Sequence, residues 1–438
     1  MKLDDIIQTQ YKDFCLYVVE SRALPRLSDG LKPVERRSLW SGKKIAKEWC
    51  KVSKLAGATT SNHPHGNVSI ENCISSMAQD FCGANNIPFF KGDGTFGTRL
   101  SGPGEGCASA RYIQVRLSDN FYKYFDVDPE LVNLVPNFDE TDTEPDTFLP
   151  IVPAVLLNPT SGIAVGFACN ILPRNIEEVK NAQIDFLNGK KLKPLKPYYK
   201  GFKGTISKND LGGWTSKGVW QSNGKKLTIT ELPIGFTRES FITLLDKLED
   251  NATANKKATI SDYVDNCQDS FNFDIILTEE MTDEDINIKF KLTSNLNENI
   301  TLIGFNNKVL EKLTDIQVIE QFTEWRFKFY LERFKKRHAV NEDELEFKKA
   351  LLLVIEKGIF KKFPSQKKPE IIKSLQEEQI KNPHIVKVMQ VPIYRFGKDE
   401  VVKLQEQITE LEKNKKELES LIKSEDKRRQ VYVDELKK

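Results

Sequence analysis

The last third of this 438-residue chain carries two long helical patterns, and these constrain its fold more than any other feature. The first pattern runs from Asp315 to about Lys357, prolines then interrupt the chain, and the second begins near Lys398. In the second pattern, the apolar positions alternate in steps of four and three with one polar interruption: Leu404, Ile408, Leu411, Lys415, Leu418 and Ile422. This spacing is an a/d heptad seam, so we predict helices of roughly 60 and 55 Å in an antiparallel coiled coil.

The first part of the chain mixes helical and strand-like patterns. Residues 1–20 are amphipathic, Pro33 is suited to start a helix to about Lys54, and a further helix is expected from Gly66 to about Gln79. Two short helices joined by a turn in a basic context are compatible with a helix-turn-helix. The segment Tyr112–Leu117 alternates like a strand.

Strand-like segments dominate the middle of the chain, from Leu149 to about Leu302. They are Ile151–Val155, Ile163–Cys169, Lys226–Leu232, Phe271–Leu277 and Asn287–Leu292. We therefore predict an α+β multidomain protein with a separate domain here.

Composition gives limits on location and redox state. Hydrophobic residues make up 39% of the chain, and no apolar run reaches the ~18–20 residues of a membrane span. The N-terminus lacks a signal peptide, so the default expectation is a cytoplasmic protein with no membrane partner. Seven cysteines without a CxxC pair favour buried reduced thiols over disulfides or a zinc site.

Positive charge is concentrated between Arg22 and Lys54, where ten basic residues face three acidic ones. Such an excess can neutralise several phosphates. Composition alone favours a solvated lysine-rich helix face, because charge runs usually face water. The segment Asp126–Pro150 is acidic and proline-rich, and we interpret it as a connector.

No sequence pattern predicts an ATP site or a metal site in this chain. A GxxxxGK[ST] loop is absent, and Asp126-Val127-Asp128 is interpreted as a loop pair. His63 and His65 form an HxH pair, which could ligate zinc with further ligands or bind phosphate at the entry to a helix. A purely structural loop is the third interpretation.

Arg111-Tyr112 follows a glycine-rich run and is a candidate nucleophilic site. A tyrosine phenol is a weak nucleophile at neutral pH, since its ordinary pKa is near 10, and it needs a neighbouring cation. Adjacent side chains on a strand point to opposite faces, so Arg111 assists Tyr112 only if loop geometry bends it inward. A surface strand with a half-buried tyrosine is the alternative.

Ile163 lies between two glycines in Ser161–Gly166, where the backbone can approach a ligand closely. An exposed isoleucine here could insert between base steps and kink DNA. A buried strand residue is the commoner fate of isoleucine.

Six blocks in a fixed order resemble the DNA-cleaving subunit of type II topoisomerases, the DNA gyrase A and topoisomerase IV C family. They are Arg22–Pro25, Asp29–Arg37, His63–Gly66, Gly94–Gly97, Arg111–Arg116 and Ser161–Gly166. The resemblance implies an ATP-dependent enzyme in which Tyr112 attacks a DNA phosphodiester and forms a transient 5′-phosphotyrosyl bond.

The resemblance also implies roles for other residues. Arg111 and Arg22 would form the cationic clamp of the active site, and Ile163 would be the intercalating residue. The residues implied to bind DNA are Lys32, Arg36, Arg37, His63 and His65.

The implied architecture has three parts. Residues 1–147 would hold an N-terminal arm and a winged-helix (helix-turn-helix) DNA-binding domain, residues 148–312 an α/β tower domain, and residues 313–438 a long antiparallel coiled coil with a C-terminal dimer gate. Two copies would cut opposite strands of double-stranded DNA and pass a second duplex through the break.

The resemblance places both cofactors, Mg²⁺ and ATP, on a partner subunit with ATPase and Toprim domains. The sequence ends at Lys438 without a DNA-wrapping domain, so relaxation or decatenation is expected rather than supercoiling. A phage-encoded chain would act in the host cytoplasm or nucleoid. The main alternative is a non-catalytic architectural DNA-binding dimer with a coiled coil, and another is a coiled-coil interaction protein that does not bind nucleic acid.

Overall fold

The computed structural model of the chain describes residues 7–210, 212–250, 258–392 and 398–438. The first six residues of the helix predicted over residues 1–20 lie outside this part of the chain. The chain forms two compact units, Met1–Arg326 and Phe327–Lys438. Within the described residues, no helix combines the length and hydrophobicity needed to span a bilayer.

The first unit opens with helix α1 (Lys12–Val18), which is flanked by π-helical turns at Ile7–Tyr11 and Val19–Ala23. Helix α2 (Pro33–Ile45) follows, with Pro33 in its first turn and the Lys32 amide donating to a Glu35 carboxylate oxygen at 2.8 Å. Both local signals fix where this helix begins.

Helix α2 ends at Ile45, so the prediction of one helix to about Lys54 was wrong. A short strand β1 (Cys50–Lys51) and a second helix α3 (Val52–Thr59) occupy the rest of that stretch. Cys50 pairs with Val115, sixty-five positions away, and this long-range pairing replaces local helical bonds.

Helix α4 (Asn67–Ala78) agrees with the predicted helix from Gly66 to about Gln79. Strands β2 (Phe90–Asp93) and β3 (Gln114–Leu117) then complete an antiparallel sheet in the order β1-β3-β2. The element order is therefore helix, strand, helix, helix, strand, strand. The side chains of Leu39, Ile74 and Val115 are fully buried between the helices and the sheet.

Short elements follow this sheet: α5 (Asp119–Tyr124), the hairpin of β4 (Leu134–Pro136) and β5 (Thr143–Pro145), the hairpin of β6 (Thr160–Ile163) and β7 (Ala168–Ile171), and α6 (Ile176–Leu187). The predicted strand Ile151–Val155 is absent, and a 3-10 turn covers Ala154–Leu156. The predicted strand Ile163–Cys169 is the turn of the second hairpin together with the strand ends on either side.

The remainder of the first unit is built on antiparallel sheets, with strand orders β10-β11-β13-β12, β14-β9-β8 and β15-β16. The strands and helices are β8 (Thr205–Lys208), β9 (Trp214–Lys217), β10 (Val219–Asn223), β11 (Lys226–Glu231), α7 (Arg238–Asp250), β12 (Ile260–Asp265), β13 (Phe273–Leu277), α8 (Asp283–Lys289), β14 (Thr293–Leu296), β15 (Ile300–Ile303) and β16 (Val309–Leu313). Leu227, Phe241 and Phe273 lie in the core of the four-stranded sheet. The predicted α+β class is confirmed, although the strand predicted at Asn287–Leu292 is instead the end of helix α8 and the turn that follows it.

Helix α9 (Asp315–Glu356) begins in the first unit and supplies the start of the second. A 3-10 segment and four helices follow: Ile359–Ser365, α10 (Lys368–Glu377), α11 (Asn382–Met389), α12 (Lys398–Lys423) and α13 (Glu425–Lys437). The predicted second long helix is thus two helices, because Ser424 caps α13 by accepting a hydrogen bond from the Lys427 amide.

Helices α9 and α12 pair in opposite directions. Glu342 of α9 binds Lys415 of α12 at 2.7 Å, and Lys349 of α9 binds Glu412 of α12 at 2.6 Å. The later residue of α9 thus pairs with the earlier residue of α12, so the two helices are antiparallel. Their buried apolar side chains share one core with the short helices, including Leu345, Val354, Leu404 and Ile408.

Candidate functional site

Tyr112 lies in a tight turn directly before β3, and its side chain is 65% exposed. The Tyr112 amide donates to the Ser109 carbonyl at 2.8 Å and closes the turn. The turn is anchored to the start of α3, because the amides of Val52 and Ser53 donate to the carbonyls of Ile113 and Ala110. Tyr112 is therefore an exposed phenol on a fixed backbone, beside the positive end of a helix dipole.

The turn also brings Arg111 to Tyr112. The guanidinium carbon of Arg111 lies 4.8 Å from the centre of the Tyr112 ring, a cation–π contact. Of the two arrangements that the sequence left open, the structure has the one in which loop geometry bends Arg111 inward. Lys51 adds a second cation, since its ammonium donates to the Tyr112 carbonyl at 2.9 Å.

Sequence reasoning placed Lys51 only within the basic stretch and missed this contact. No local signal identifies it, because its position depends on the pairing of β1 with β3.

Glycines in the loop before Tyr112 allow it to pack closely. A Cβ on Gly97 would lie 2.2 Å from the Glu105 carbonyl oxygen, and one on Gly94 would lie 2.9 Å from the Ile113 side chain. Both residues have positive φ, which favours glycine. The glycine-rich run thus folds against itself and supports the Tyr112 turn.

A second cluster joins Arg22, His65, His63, Arg37 and Glu144. The Arg22 Nε donates to His65 Nε2 at 3.0 Å, and the rings of His65 and His63 lie 4.4 Å apart. Arg37 contacts His63 Nδ1 at 2.9 Å and forms a two-bond ion pair with Glu144 at 2.8 Å.

The hydrogen bonds of this cluster assign the protons on both imidazoles. A guanidinium only donates, so His65 accepts at Nε2 and carries its proton on Nδ1, which lies 2.5 Å from the Pro64 carbonyl. By the same argument His63 accepts at Nδ1. Burial, followed by the nearby charge of Arg37, lowers the pKa of His63 to about 4, so this ring is neutral at pH 7.

Helix α3 separates the two clusters. Tyr112 is tied to its first residues, and His63 follows its end, where the His63 amide donates to the Thr59 carbonyl. Eight residues at ~1.5 Å per residue give a separation along the helix of about 12 Å. The structure therefore brings Arg111 to Tyr112 and Arg22 to the histidines.

Half of the ten cations in the basic stretch are paired with carboxylates. Four of its cations bind the acidic connector, and a fifth binds an aspartate within the stretch: Arg26–Asp146, Lys43–Asp126, Lys44–Asp142, Arg37–Glu144 and Arg36–Asp29. Arg36 is 5% exposed, and Asp29 and the Leu31 carbonyl bind its guanidinium. A direct phosphate contact by Arg36 would require this ion pair to break.

Lys32 and Ile163 meet at the β6–β7 hairpin. The Lys32 ammonium donates to the Ser161 carbonyl at 2.5 Å, and Ile163 at the hairpin end is 87% exposed. A Cβ on Gly162 would lie 2.0 Å from the Ala23 carbonyl oxygen, so this strand runs directly against the segment that carries Arg22. Ile163 is not the buried strand residue that was the alternative prediction.

Among the described residues, no group of three or more His, Cys, Asp or Glu side chains is placed to hold a metal ion. His63 and His65 contact arginines and a backbone carbonyl instead.

The family model for the A-type subunit of DNA gyrase/topoisomerase IV matches residues 22–437. The chain belongs to this family. The region matched by the gyrase/topoisomerase IV model contains the Tyr112 turn, His63, His65 and the Ile163 hairpin.

Related proteins are topoisomerases of several kinds. The DNA topoisomerase 2 of Arabidopsis thaliana is 34% identical over 82% of this chain and 25% of its own length. The DNA topoisomerase medium subunit of phage T4 is 28% identical, and the match covers 92% of each chain. The chain thus spans about a quarter of the length of the eukaryotic relatives and most of the phage subunit.

A solved structure has the same fold. The DNA-binding, cleavage and re-ligation domain of Plasmodium falciparum topoisomerase II superposes with a TM-score of 0.86 at 25% identity. The superposition covers 99% of this chain and 64% of the Plasmodium chain.

Proposed function

We propose that this chain is the DNA-breaking and rejoining subunit of an ATP-dependent type II DNA topoisomerase, with Tyr112 as its nucleophile. The observation that carries the proposal is the Tyr112 turn, in which the side chain of Tyr112 is exposed, the Arg111 guanidinium contacts its ring and the Lys51 ammonium binds its backbone carbonyl. Membership of the gyrase/topoisomerase IV family supports the proposal. It is also supported by the similarity of this fold to the DNA-binding, cleavage and re-ligation domain of Plasmodium falciparum topoisomerase II.

In the proposed reaction, the Tyr112 oxygen attacks a DNA phosphorus, and the bond from phosphorus to the 3′ oxygen breaks. The phenol proton is lost and the departing 3′ oxygen gains one, which leaves a 3′ hydroxyl and a 5′-phosphotyrosyl bond. Resealing is the same exchange reversed, so one phosphodiester is traded for another. Cations beside Tyr112 stabilise the negative charge that grows on the phosphoryl oxygens.

The site residues divide the work. We assign Arg111 to the cation beside Tyr112, Lys32 to a phosphate, and the exposed Ile163 to insertion between base steps. Arg22 lies with the histidines rather than beside Tyr112, so we assign it to a neighbouring phosphate instead of to a clamp shared with Arg111. The remaining predicted DNA residues, Arg36, Arg37, His63 and His65, are proposed to hold the DNA-facing loops in shape as much as to touch DNA. Arg36 and His63 are buried, and each of the four residues is hydrogen-bonded within the chain, which supports this division.

The element order of the first unit supports a winged-helix domain, because three helices and a three-stranded antiparallel sheet alternate as helix, strand, helix, helix, strand, strand. We propose domains at 1–147 (arm and winged helix), 148–312 (tower) and 313–438 (coiled coil with dimer gate). The opposed pairing of α9 and α12 supports the antiparallel coiled coil.

Partners and cofactors complete the proposal. Double-stranded DNA is the substrate, two copies of the chain form a homodimer through the coiled-coil gate, and relaxation or decatenation is the outcome. Mg²⁺ and ATP are assigned to an ATPase/Toprim partner subunit, and the name of the phage T4 relative, a medium subunit, supports a multi-subunit enzyme.

Covalent trapping tests the proposal. The chain is mixed with its ATPase/Toprim partner, Mg²⁺, ATP and supercoiled DNA, then denatured, and protein attached to 5′ ends is counted. We expect adducts with the native chain and none with Tyr112→Phe. Tyr122→Phe is the matched control, because Tyr122 is also exposed and lies ten residues downstream.

Adducts that persist in Tyr112→Phe would move the nucleophile elsewhere. Tight DNA binding without adducts, beside a demonstrably competent partner, would favour the architectural DNA-binding dimer instead.

A further inference from the structure

The tip of the β4–β5 hairpin holds an aromatic side chain in water. Phe138 is 73% exposed, the most exposed aromatic residue of those described. Leaving a phenylalanine in solvent forgoes about 2 kcal/mol of burial free energy. An exposed apolar side chain on an ordered loop is therefore a candidate contact for a partner molecule.

The loop that presents Phe138 is closed by hydrogen bonds within the loop. The side-chain oxygen of Asn137 accepts hydrogen bonds from the amides of Thr141 and Asp142 at 2.9 and 3.1 Å. The Asn137 amide donates to the Asp142 carbonyl, and Glu140 adopts a left-handed backbone with φ of 56°. This network fixes the direction of the tip.

The tip lies beside the histidine cluster. The side-chain nitrogen of Asn137 (Nδ2) donates to the Ser61 carbonyl at 3.0 Å and lies 3.4 Å from the side-chain oxygen of Asn62. Asn62 directly precedes His63, and Phe138 directly follows Asn137. On strand β5 the same hairpin carries Glu144, which binds Arg37 of the cluster.

The charges at the tip indicate which part of a duplex it meets. Asp139 and Glu140 are exposed, and carboxylates repel phosphates. Base edges are compatible with these two carboxylates, because a carboxylate accepts hydrogen bonds from the cytosine amino group. The Phe138 side chain can pack on thymine methyl groups or insert between base steps. The tip therefore suits a groove rather than the backbone.

We propose that the β4–β5 tip, residues 137–142, reads bases beside the cleavage site and helps to select which DNA sequences are cut. This inference rests on the proposed function, since it assumes that DNA is bound and cleaved at the Tyr112 and histidine clusters. Phe138 would act as a positioning and specificity residue, separate from the chemistry at Tyr112.

Sequencing of the cleaved ends tests the inference. The native chain, Phe138→Ala, Phe138→Leu and Leu134→Ala are each incubated with the ATPase/Toprim partner, Mg²⁺ and random-sequence duplexes, and protein-linked 5′ ends are sequenced. Leu134 is the matched control, because it is an exposed apolar residue at the opposite end of the same hairpin.

With Phe138→Ala we expect individual sites to change in relative use by about tenfold, as expected from loss of a base contact. Phe138→Leu keeps an apolar wedge and should shift the sites less, and Leu134→Ala should match the native pattern. Thermal melting checks that the variants fold, and Phe138→Leu keeps the test informative if Phe138→Ala does not.

Two outcomes would overturn the inference alone. One is cleavage by Phe138→Ala and Phe138→Leu with the native site pattern. The other is native site preference with weakened binding of the partner subunit, which would make the tip a protein contact. A native chain that forms no adducts at all would instead overturn the proposed function, and this inference with it.

Discussion

At the scale of single residues, the proposed site depends on which cations remain available to DNA. Arg111 and Lys51 are placed at Tyr112 by a turn and a strand pairing. Arg36 and Arg37, which adjoin in sequence, are bound to Asp29 and Glu144. Residues that look equivalent in a basic run thus divide into those that face outward and those that hold the protein together.

His63 gives a pH-dependent prediction. Its pKa is about 4 in the folded chain and ~6.5 when unfolded, so between these values the unfolded state binds more protons. The stability contributed by neutral His63 is full above pH 6.5 and falls by roughly 2 to 3 kcal/mol as the pH drops to about 4. We expect His63→Gln, which keeps an acceptor for Arg37 but does not titrate, to lack this loss.

Denaturant unfolding of both chains from pH 4 to pH 8 measures the effect. The difference between the unfolding midpoints of the native chain and His63→Gln should be constant above pH 6.5. Below pH 6.5, the midpoint of the native chain should fall relative to that of His63→Gln. A difference that does not vary with pH would contradict the assignment.

At the scale of elements, local signals identified helix starts but not long-range pairings. Pro33 and Asn67 begin helices close to where the sequence predicts them. The end of α2 at Ile45 depends on the pairing of Cys50 with Val115, which no local pattern reveals. Helix α8 was mistaken for a strand because its apolar residues alternate, although Thr282 supplies a clear N-cap before it.

The candidate site residues could be proposed from the sequence, but their environment could not. Tyr112, Arg111, Arg22 and the histidines were proposed because their blocks resemble a known family, and their roles stay predictions. The pairing of the basic stretch with the acidic connector was not predicted. Complementary charge was its only signal in the sequence, since the segment from Asp126 to Pro150 has eight acidic and no basic residues.

Gly162 gives a prediction at the scale of one hairpin. A Cβ there would lie 2.0 Å from the Ala23 carbonyl, so Gly162→Ala must displace the hairpin or the Arg22 segment. We expect a loss of stability of about 1–3 kcal/mol and weaker bending of bound DNA, since Ile163 moves with the strand. Thermal melting and energy transfer between labelled DNA ends measure the two effects.

Gly57→Ala is the matched control, because no atom lies within 4 Å of its Cβ position and it sits inside helix α3. It should keep or slightly raise stability. Native bending by Gly162→Ala would remove the proposed role of this hairpin.

At the scale of the whole molecule, net charge says little about DNA binding. The chain carries a formal charge of only +2, and four cations of the basic stretch are neutralised by the connector. Under the proposed function, attraction to DNA is then expected from the cations of the stretch that are not bound to the connector, with the half-buried Lys32 among them. The affinity of the chain for a duplex is consequently expected to depend on where charge is exposed.

The salt dependence of DNA binding distinguishes these two kinds of cation. Each phosphate contact contributes about 0.9 to the slope of log affinity against log salt concentration. Lys32→Ala should reduce that slope by about this amount, because the Lys32 ammonium donates to the Ser161 carbonyl rather than to a carboxylate. Lys43→Ala removes the same formal charge, but Lys43 is paired with Asp126 at 2.5 Å, so the slope should hardly change. Equal reductions in the two variants would mean that the connector yields its cations to DNA, and the division between structural and DNA-facing charges would fail.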